Sequence, residues 1–221
     1  IELDHVTFRY RPRPGQAAED NKPALRDVTF SIEPGTAVAV VGATGSGKTT
    51  LARLLTRLAD PEEGTVRIAG IDLREVSMAS LRRSLVMVPQ EPFLYDTTIA
   101  DNVRFGRPSA DDREVMLAFT ELGLDDWIGG LGAGLDTKVG ERGDALSAGE
   151  RQLVALARAY VANPPCLVLD EATSSVDALT ETRLARALDS LARGRTSVTI
   201  AHRLSTASRA QRILVFDRGR L

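Results

Sequence analysis

The chain reads as an α/β protein: a mainly parallel sheet with helices on both faces, an antiparallel β-unit at the amino end, and a mostly helical insertion. Three observations carry this reading. An apolar run at residues 36–41 passes directly into GATGSGKT and then a helical stretch, the strand–loop–helix order of a phosphate loop. Downstream, short apolar runs alternate with helical patterns, as in a parallel sheet covered on both sides. Between Gln90 and about Tyr160 the texture changes, and helical stretches alternate with glycine-rich connectors.

The elements follow in order. Residues 1–10 alternate apolar and polar, as a half-buried strand does. Residues 11–22 are rich in proline, glycine and charge and read as an exposed loop. Residues 28–32 resume the alternation, and Pro34-Gly35 turns the chain. Residues 36–41 suit a strand buried on both faces, followed by a helix over 48–59. A turn at 61–64, a strand at 65–68 and a short buried strand at 85–88 come next. Helices are predicted over 99–105 and 111–122, with a connector at 129–134. Residues 166–169 form a central strand, and 180–192 an amphipathic helix with Leu184, Leu188 and Leu191 at helical spacing. Strands at 197–201 and 213–216 close the sheet. The expected organisation is one domain over 1–221, with 1–89 and 161–221 as the α/β core and 90–160 as a helical subdomain.

Composition narrows the function. A net charge of −2 argues against a nucleic-acid footprint. No apolar run approaches the ~20 residues that span a bilayer, and Glu2, Asp4, His5 and Arg9 break any leader-like pattern at the start. One cysteine, Cys166, excludes an internal disulfide and a zinc cluster and fits a reducing compartment. Lysine is scarce: only Lys22, Lys48 and Lys138 occur. Lys48 therefore stands out, because a point charge on a flexible stem is what a phosphate loop uses.

Three segments carry chemistry. In the first, Gly42, Ala43, Thr44, Gly45, Ser46, Gly47, Lys48 and Thr49 fit G-x-x-x-x-G-K-[ST], with Thr50 next in the helix. The glycines admit backbone close to phosphate, successive N–H groups and the helix start face it, Lys48 reaches the outer phosphates and Thr49 ligates Mg²⁺. In the second, LVLDE at 167–171 brings Asp170 to the carboxyl end of a strand, where open α/β sheets present ligand groups. Asp170 is the candidate holder of Mg²⁺ through its water shell, and Glu171 the candidate general base. The third, LSAGE at 146–150, opens an apolar helix: Ser147 is a candidate N-cap, and free N–H groups at such a start attract an anion. The phosphate already has a cradle at 42–49, so this start serves a different nucleotide best.

In the order Tyr10, 42–49, Gln90, 146–150, Asp170-Glu171, Asp177 and His202, the motifs resemble the nucleotide-binding domain of the ATP-binding cassette (ABC) family, exporter type, over essentially the whole chain. The resemblance implies a phosphate-loop ATPase using ATP and Mg²⁺, paired head-to-tail with a second nucleotide-binding domain, identical or not. It implies transmembrane domains as partners, no nucleic acid, and a place at the cytoplasmic face of the cell membrane. It further implies that Tyr10 stacks on adenine, that Gln90 contacts Mg²⁺ and the lytic water, and that His202 contacts the γ-phosphate. Glu171, His202, Gln90 and Lys48 are then the catalytic set, and Thr49, Gln90 and Asp170 the metal set. Ser147, Ala148, Gly149 and Glu150 act on the partner's nucleotide, and Asp177 lies in the loop that crosses the interface. Asp177 also reads as an N-cap, and Tyr10 as ordinary strand packing with Phe8 and Val6. Glu141 and Arg142 resemble the exporter loop that senses coupling helices. The sequence departs from the common LSGGQ at Ala148 and Glu150, which bears on the trans contact of residue 150.

Two other readings stay in view. One is an ATP-binding assembly module with little turnover, which the LSAGE departure favours and the presence of Glu171 and His202 opposes. The other is an SMC-type DNA-repair ATPase; the roughly 100 residues between the two glycine motifs show none of the sustained heptads that class carries.

Overall fold

The structure, a computed structural model, describes residues 1–11, 22–170, 176–201 and 204–221. In chain order its first elements are β1 (Glu2–Phe8), β2 (Leu25–Ser31), β3 (Ala37–Val41), α1 (Lys48–Leu55), β4 (Glu63–Ile68), β5 (Ile71–Asp72), α2 (Met78–Ser84) and β6 (Leu85–Val88). Then come α3 (Ile99–Arg104), α4 (Asp112–Glu121), α5 (Asp125–Gly130), α6 (Ala148–Ala162), β7 (Cys166–Asp170), α7 (Ala178–Ala192), β8 (Thr196–Ile200), α8 (Leu204–Ala207) and β9 (Arg212–Val215).

Two sheets organise these elements. The first is antiparallel, in the order β2-β1-β4-β5; the second is parallel throughout, in the order β6-β7-β8-β3-β9. Strand alternation sorts the parallel sheet's side chains. Val38, Val40, Cys166, Val168, Val198 and Ile200 enter a core shared with Leu51, Leu54 and Leu55 of α1 and with Leu3, Val6 and Val28 of the antiparallel sheet. On the other face Leu167 and Leu169 join the core built by α3 to α7, with Phe119, Trp127, Leu153, Leu156 and Leu184. Both faces of the parallel sheet are thus covered, which is why its strands read as unbroken apolar runs.

The α/β class and the parallel and antiparallel sheets match the expectation. Several boundaries differ, for local reasons. Helix α1 stops at Leu55 instead of running to 59. Arg57 takes a left-handed φ of 54°, Leu58 N–H bonds to Arg53 O at 2.8 Å and Arg57 N–H to Leu54 O at 3.1 Å, a C-terminal lock made without glycine. Strand β2 begins at Leu25, and β4 already includes Glu63 and Gly64, which read as turn. Helix α2, capped by Ser77 through Ser80 N–H at 3.2 Å, and the short β5 were not anticipated. Helix α5 overlaps the expected connector, because Trp127 and Ile128 are buried and pull DDWIGG into a helical turn. The expected loop at 11–22 lies largely outside the described residues.

Candidate functional site

The loop between β3 and α1 is shaped by two of its glycines. Gly42 has φ 153°, and a Cβ there would lie 2.2 Å from the Phe216 carbonyl oxygen. Gly47, the α1 N-cap, has φ 111°, and a Cβ would meet Leu25 Cδ2 at 2.6 Å and Ala24 O at 2.9 Å. Any side chain at either position would push the loop off its support. Ala43, Thr44, Gly45 and Thr49 face solvent, while Ser46, Lys48 and Thr50 are buried.

Lys48 is 6% exposed. Its Nζ donates to Gly42 O at 2.7 Å and Ala43 O at 3.0 Å, and among the described residues it forms no ion pair. The neighbouring Ser46 Oγ is buried without a hydrogen-bond partner. A buried ammonium neutralised by no carboxylate among the described residues, beside an orphaned hydroxyl and the free amides of a helix start, fits a polyphosphate. The phenol of Tyr10 bonds Thr50 Oγ1 at 3.0 Å, its ring meets Phe8 edge-on with centroids 5.0 Å apart, and the Arg53 guanidinium lies 5.7 Å from the ring centroid. Tyr10 thus lies past the end of β1, at the first turn of α1, and is 40% exposed.

The parallel sheet gathers further candidates at its carboxyl edge. Val40, Ile200 and Asp170 stand in one row across β3, β8 and β7, so the partly buried Asp170 emerges level with the start of the loop. Gln90 follows β6 by two residues, is exposed, and has its carbonyl bound by Gln152 Nε2 at 3.0 Å. Glu171 and His202 lie outside the described residues. Among those described, no group of three His, Cys, Asp or Glu is placed to hold a metal. The exposed Thr49 and the partly buried Asp170, at the same edge, suit Mg²⁺, which takes few protein ligands and completes its shell with phosphate oxygen and water.

The start of α6 is a closed capping box. Ser147 Oγ accepts Glu150 N–H at 3.2 Å and Glu150 Oε2 accepts Ser147 N–H at 2.9 Å. Glu150 Oε1 also accepts the Trp127 indole N–H at 3.1 Å. Burial alone would raise the Glu150 pKa, but the bonds from Ser147 and Trp127 outweigh it and hold the carboxyl below the ordinary glutamate range. Glu150 is therefore engaged inside its own chain. So is Gly149: it is buried, and a Cβ would come 2.5 Å from Thr180 Cγ2 and 2.7 Å from Val176 Cγ1, so its absent side chain lets α6 approach the start of α7. Ser147 and Ala148 are exposed. No hydrogen bond or ion pair among the described residues joins 146–150 to the loop at 42–50. Asp177 caps α7, accepting Leu179 N–H at 3.1 Å and Thr180 N–H at 3.0 Å, bonds that lower its pKa. Glu141 and Arg142 are exposed in a short 3₁₀ turn in which Arg142 has φ 54°. Trp127 was missed in the sequence; as the only tryptophan, set after two aspartates, it was the signal available.

The parallel sheet, its glycine loop and the buried lysine define a phosphate-loop nucleotide-binding protein. The chain belongs to the ABC transporter family, whose profile matches residues 25–174. It is 47% identical over 220 residues to an uncharacterised ABC transporter ATP-binding protein, YknV, of Bacillus subtilis. It is 46% identical over 221 residues to the beta-(1→2)glucan export ATP-binding/permease protein NdvA of Rhodopseudomonas palustris. Each match covers 100% of this chain and 35% of the relative, so the chain spans about a third of their length. A bacterial Atm1-family ABC exporter, solved with ATP bound, superposes with a TM-score of 0.87 at 43% identity, covering 100% of this chain and 37% of that one.

Proposed function

We propose that this chain is the ATP-hydrolysing domain of a membrane exporter. The observation that carries the reading is Lys48: a buried ammonium at the floor of the 42–49 loop that pairs with no carboxylate among the described residues, in a loop whose start is level with Asp170. Residues 42–49 hold the triphosphate with backbone N–H groups and Lys48, and Tyr10 offers its exposed ring to the base. Thr49, Asp170 and Gln90 hold Mg²⁺, which when bound neutralises charge on the outer phosphates. Glu171 orients and deprotonates the attacking water and His202 contacts the γ-phosphate, as the resemblance implies.

The head-to-tail partner completes the site. Among the described residues no hydrogen bond or ion pair joins 146–150 to the loop of their own chain, and Ser147 Oγ–H with the Ala148 and Gly149 amides remains for a phosphate held by a second copy or a homologous domain. Residues 90–160 then act as the helical lobe of a single domain. Transmembrane domains dock on the groove lined by Leu58, Met78, Leu81, Phe105 and Arg158, about 370 Å³, beside the exposed ring cluster of Phe93, Tyr95 and Phe105. In this reading the domain lies at the cytoplasmic face of the membrane. Export in the name of the NdvA relative supports the direction of transport. No helix among the described residues is long and apolar enough to cross a membrane.

The test is Glu171→Gln. Turnover should fall roughly 10²–10⁴-fold, as on losing a general base, while ATP binding and ATP-driven association persist. Near-normal turnover in this variant would remove Glu171 from the reaction.

A further inference from the structure

Residues 89–98 contain no helix or strand of two residues or more, yet their backbone is not left to solvent. Side chains from two helices hold it. Gln152 of α6, 8% exposed, donates Nε2–H to Gln90 O at 3.0 Å. Arg158 of α6 donates Nη1–H to Phe93 O at 3.1 Å and reaches Asn102 O at 2.8 Å and Asn102 Oδ1 at 3.1 Å. Asn102 of α3, fully buried, accepts Tyr95 N–H at 2.9 Å and donates to Tyr95 O at 2.9 Å and Thr98 O at 3.0 Å. Main-chain groups at 90, 93 and 95 therefore take their partners from α3 and α6. Gln152 also lines, with Asp170, Val88 and Thr199, a small pocket of about 20 Å³. The side chain that grips Gln90 thus stands beside the proposed metal aspartate.

We infer that Gln152 is a positioning residue for ATP hydrolysis: it fixes the main chain of Gln90 and thereby the reach of the Gln90 side chain to the metal edge of the site. The inference rests on the ATPase reading. Gln152 touches no reacting atom in this role. The Gln90 side chain is exposed while its main chain is held. Arg158 fixes the far end of the same segment at Phe93, so the loop pivots little between the two clamps.

Gln152→Leu keeps the volume and deletes the donor. The Mg²⁺ concentration that half-saturates ATP turnover should rise about fivefold, the effect of losing one positioning hydrogen bond. ATP affinity in EDTA, which reads the 42–49 loop without metal, should stay at the wild-type value. Amide exchange should quicken in peptides covering 91–95 and not in those covering β3 or α1. Gln152→Asn, one methylene shorter, keeps the interior polar and should move both readouts in the same direction, providing the measurement if the leucine variant fails to fold. An unchanged Mg²⁺ requirement and unchanged exchange in a folded variant of an active protein overturn the inference and leave the ATPase reading intact. A wild type that hydrolyses no ATP at any Mg²⁺ concentration overturns both.

Discussion

Glu150→Ala deletes the carboxylate that closes the start of α6, and two hydrogen bonds go with it. Their weights differ. The Ser147 N–H is exposed, and water replaces its partner at a cost of about 0.5–1 kcal/mol, the lower range for a helix cap. The Trp127 indole is 5% exposed, so its N–H loses its acceptor where water reaches poorly, costing about 1–2 kcal/mol. The sum is about 2 kcal/mol, with the charge discounted because the carboxylate is partly exposed. At roughly 2–4 °C per kcal/mol for a chain of this size, Tm should fall by roughly 4–8 °C. Glu150→Gln keeps one acceptor oxygen and should fall between. The pH dependence has a definite sign. The folded-state pKa of Glu150 lies below its ordinary value, so the stabilisation is complete at neutral pH and is lost as pH falls through the depressed value. Wild type and Glu150→Ala should therefore converge in Tm on acidification. Circular dichroism gives the melts, and emission of the single tryptophan reports the indole environment directly. A variant melting within about 1 °C of wild type at neutral pH, with unchanged emission, refutes the cap assignment.

Two further outcomes are expected. Ser147→Arg should abolish turnover while leaving ATP affinity of an isolated monomer unchanged, since no hydrogen bond or ion pair among the described residues joins Ser147 to the 42–49 loop; an equal loss of monomer affinity would put Ser147 in its own chain's site. Gly149→Ala should destabilise the fold by about 1–3 kcal/mol, because the new methyl must displace Val176 and Thr180; a denaturation midpoint equal to wild type would show that α6 and α7 separate freely.

What the sequence reveals depends on how local the cause is. The 42–49 loop is legible because each requirement lies within a few residues: an apolar strand, glycines where backbone or neighbours exclude Cβ, and a helix start. The capping box is legible for the same reason, with donor and acceptor three residues apart. The Trp127–Glu150 bond spans 23 residues and the Gln152–Gln90 bond 62, and no period or motif announces either. Helix α5 looks like a connector because two of its six residues are glycine; burial of Trp127 and Ile128 overrides their propensity. Gly149 shows how a correct motif conceals a second cause. Its place in LSAGE points to an anion, whereas its missing Cβ is needed for contact with Val176 and Thr180.

These contacts make α6 the element through which the motif-bearing segments meet. It starts at the Ser147 cap, packs Gly149 on the approach to α7, grips Gln90 through Gln152 and Phe93 through Arg158, and leads by residues 163–165 into β7 and Asp170. That last connection is short and braced: Asn163 has φ 47° and its Oδ1 accepts Arg195 Nη2–H at 2.8 Å. The carboxyl end of α6 is thus tied to the strand that carries Asp170, and its amino end is held by other contacts, the Glu150–Trp127 bond and the close approach of Gly149 to α7. At 1.5 Å per residue the helix is a lever of about 22 Å, so a turn of ~5° about the tied end carries Ser147 roughly 2 Å. Gln152 lies about 15 Å from that end and Arg158 about 6 Å, so the same turn moves the Gln90 contact more than twice as far as the Phe93 contact. A hydrogen bond of 3.0 Å does not survive a shift of more than about 0.5 Å, so Gln90 must follow α6 or lose its anchor. The start of α6 and the metal edge of the sheet are therefore mechanically dependent within one chain, before any second copy is considered.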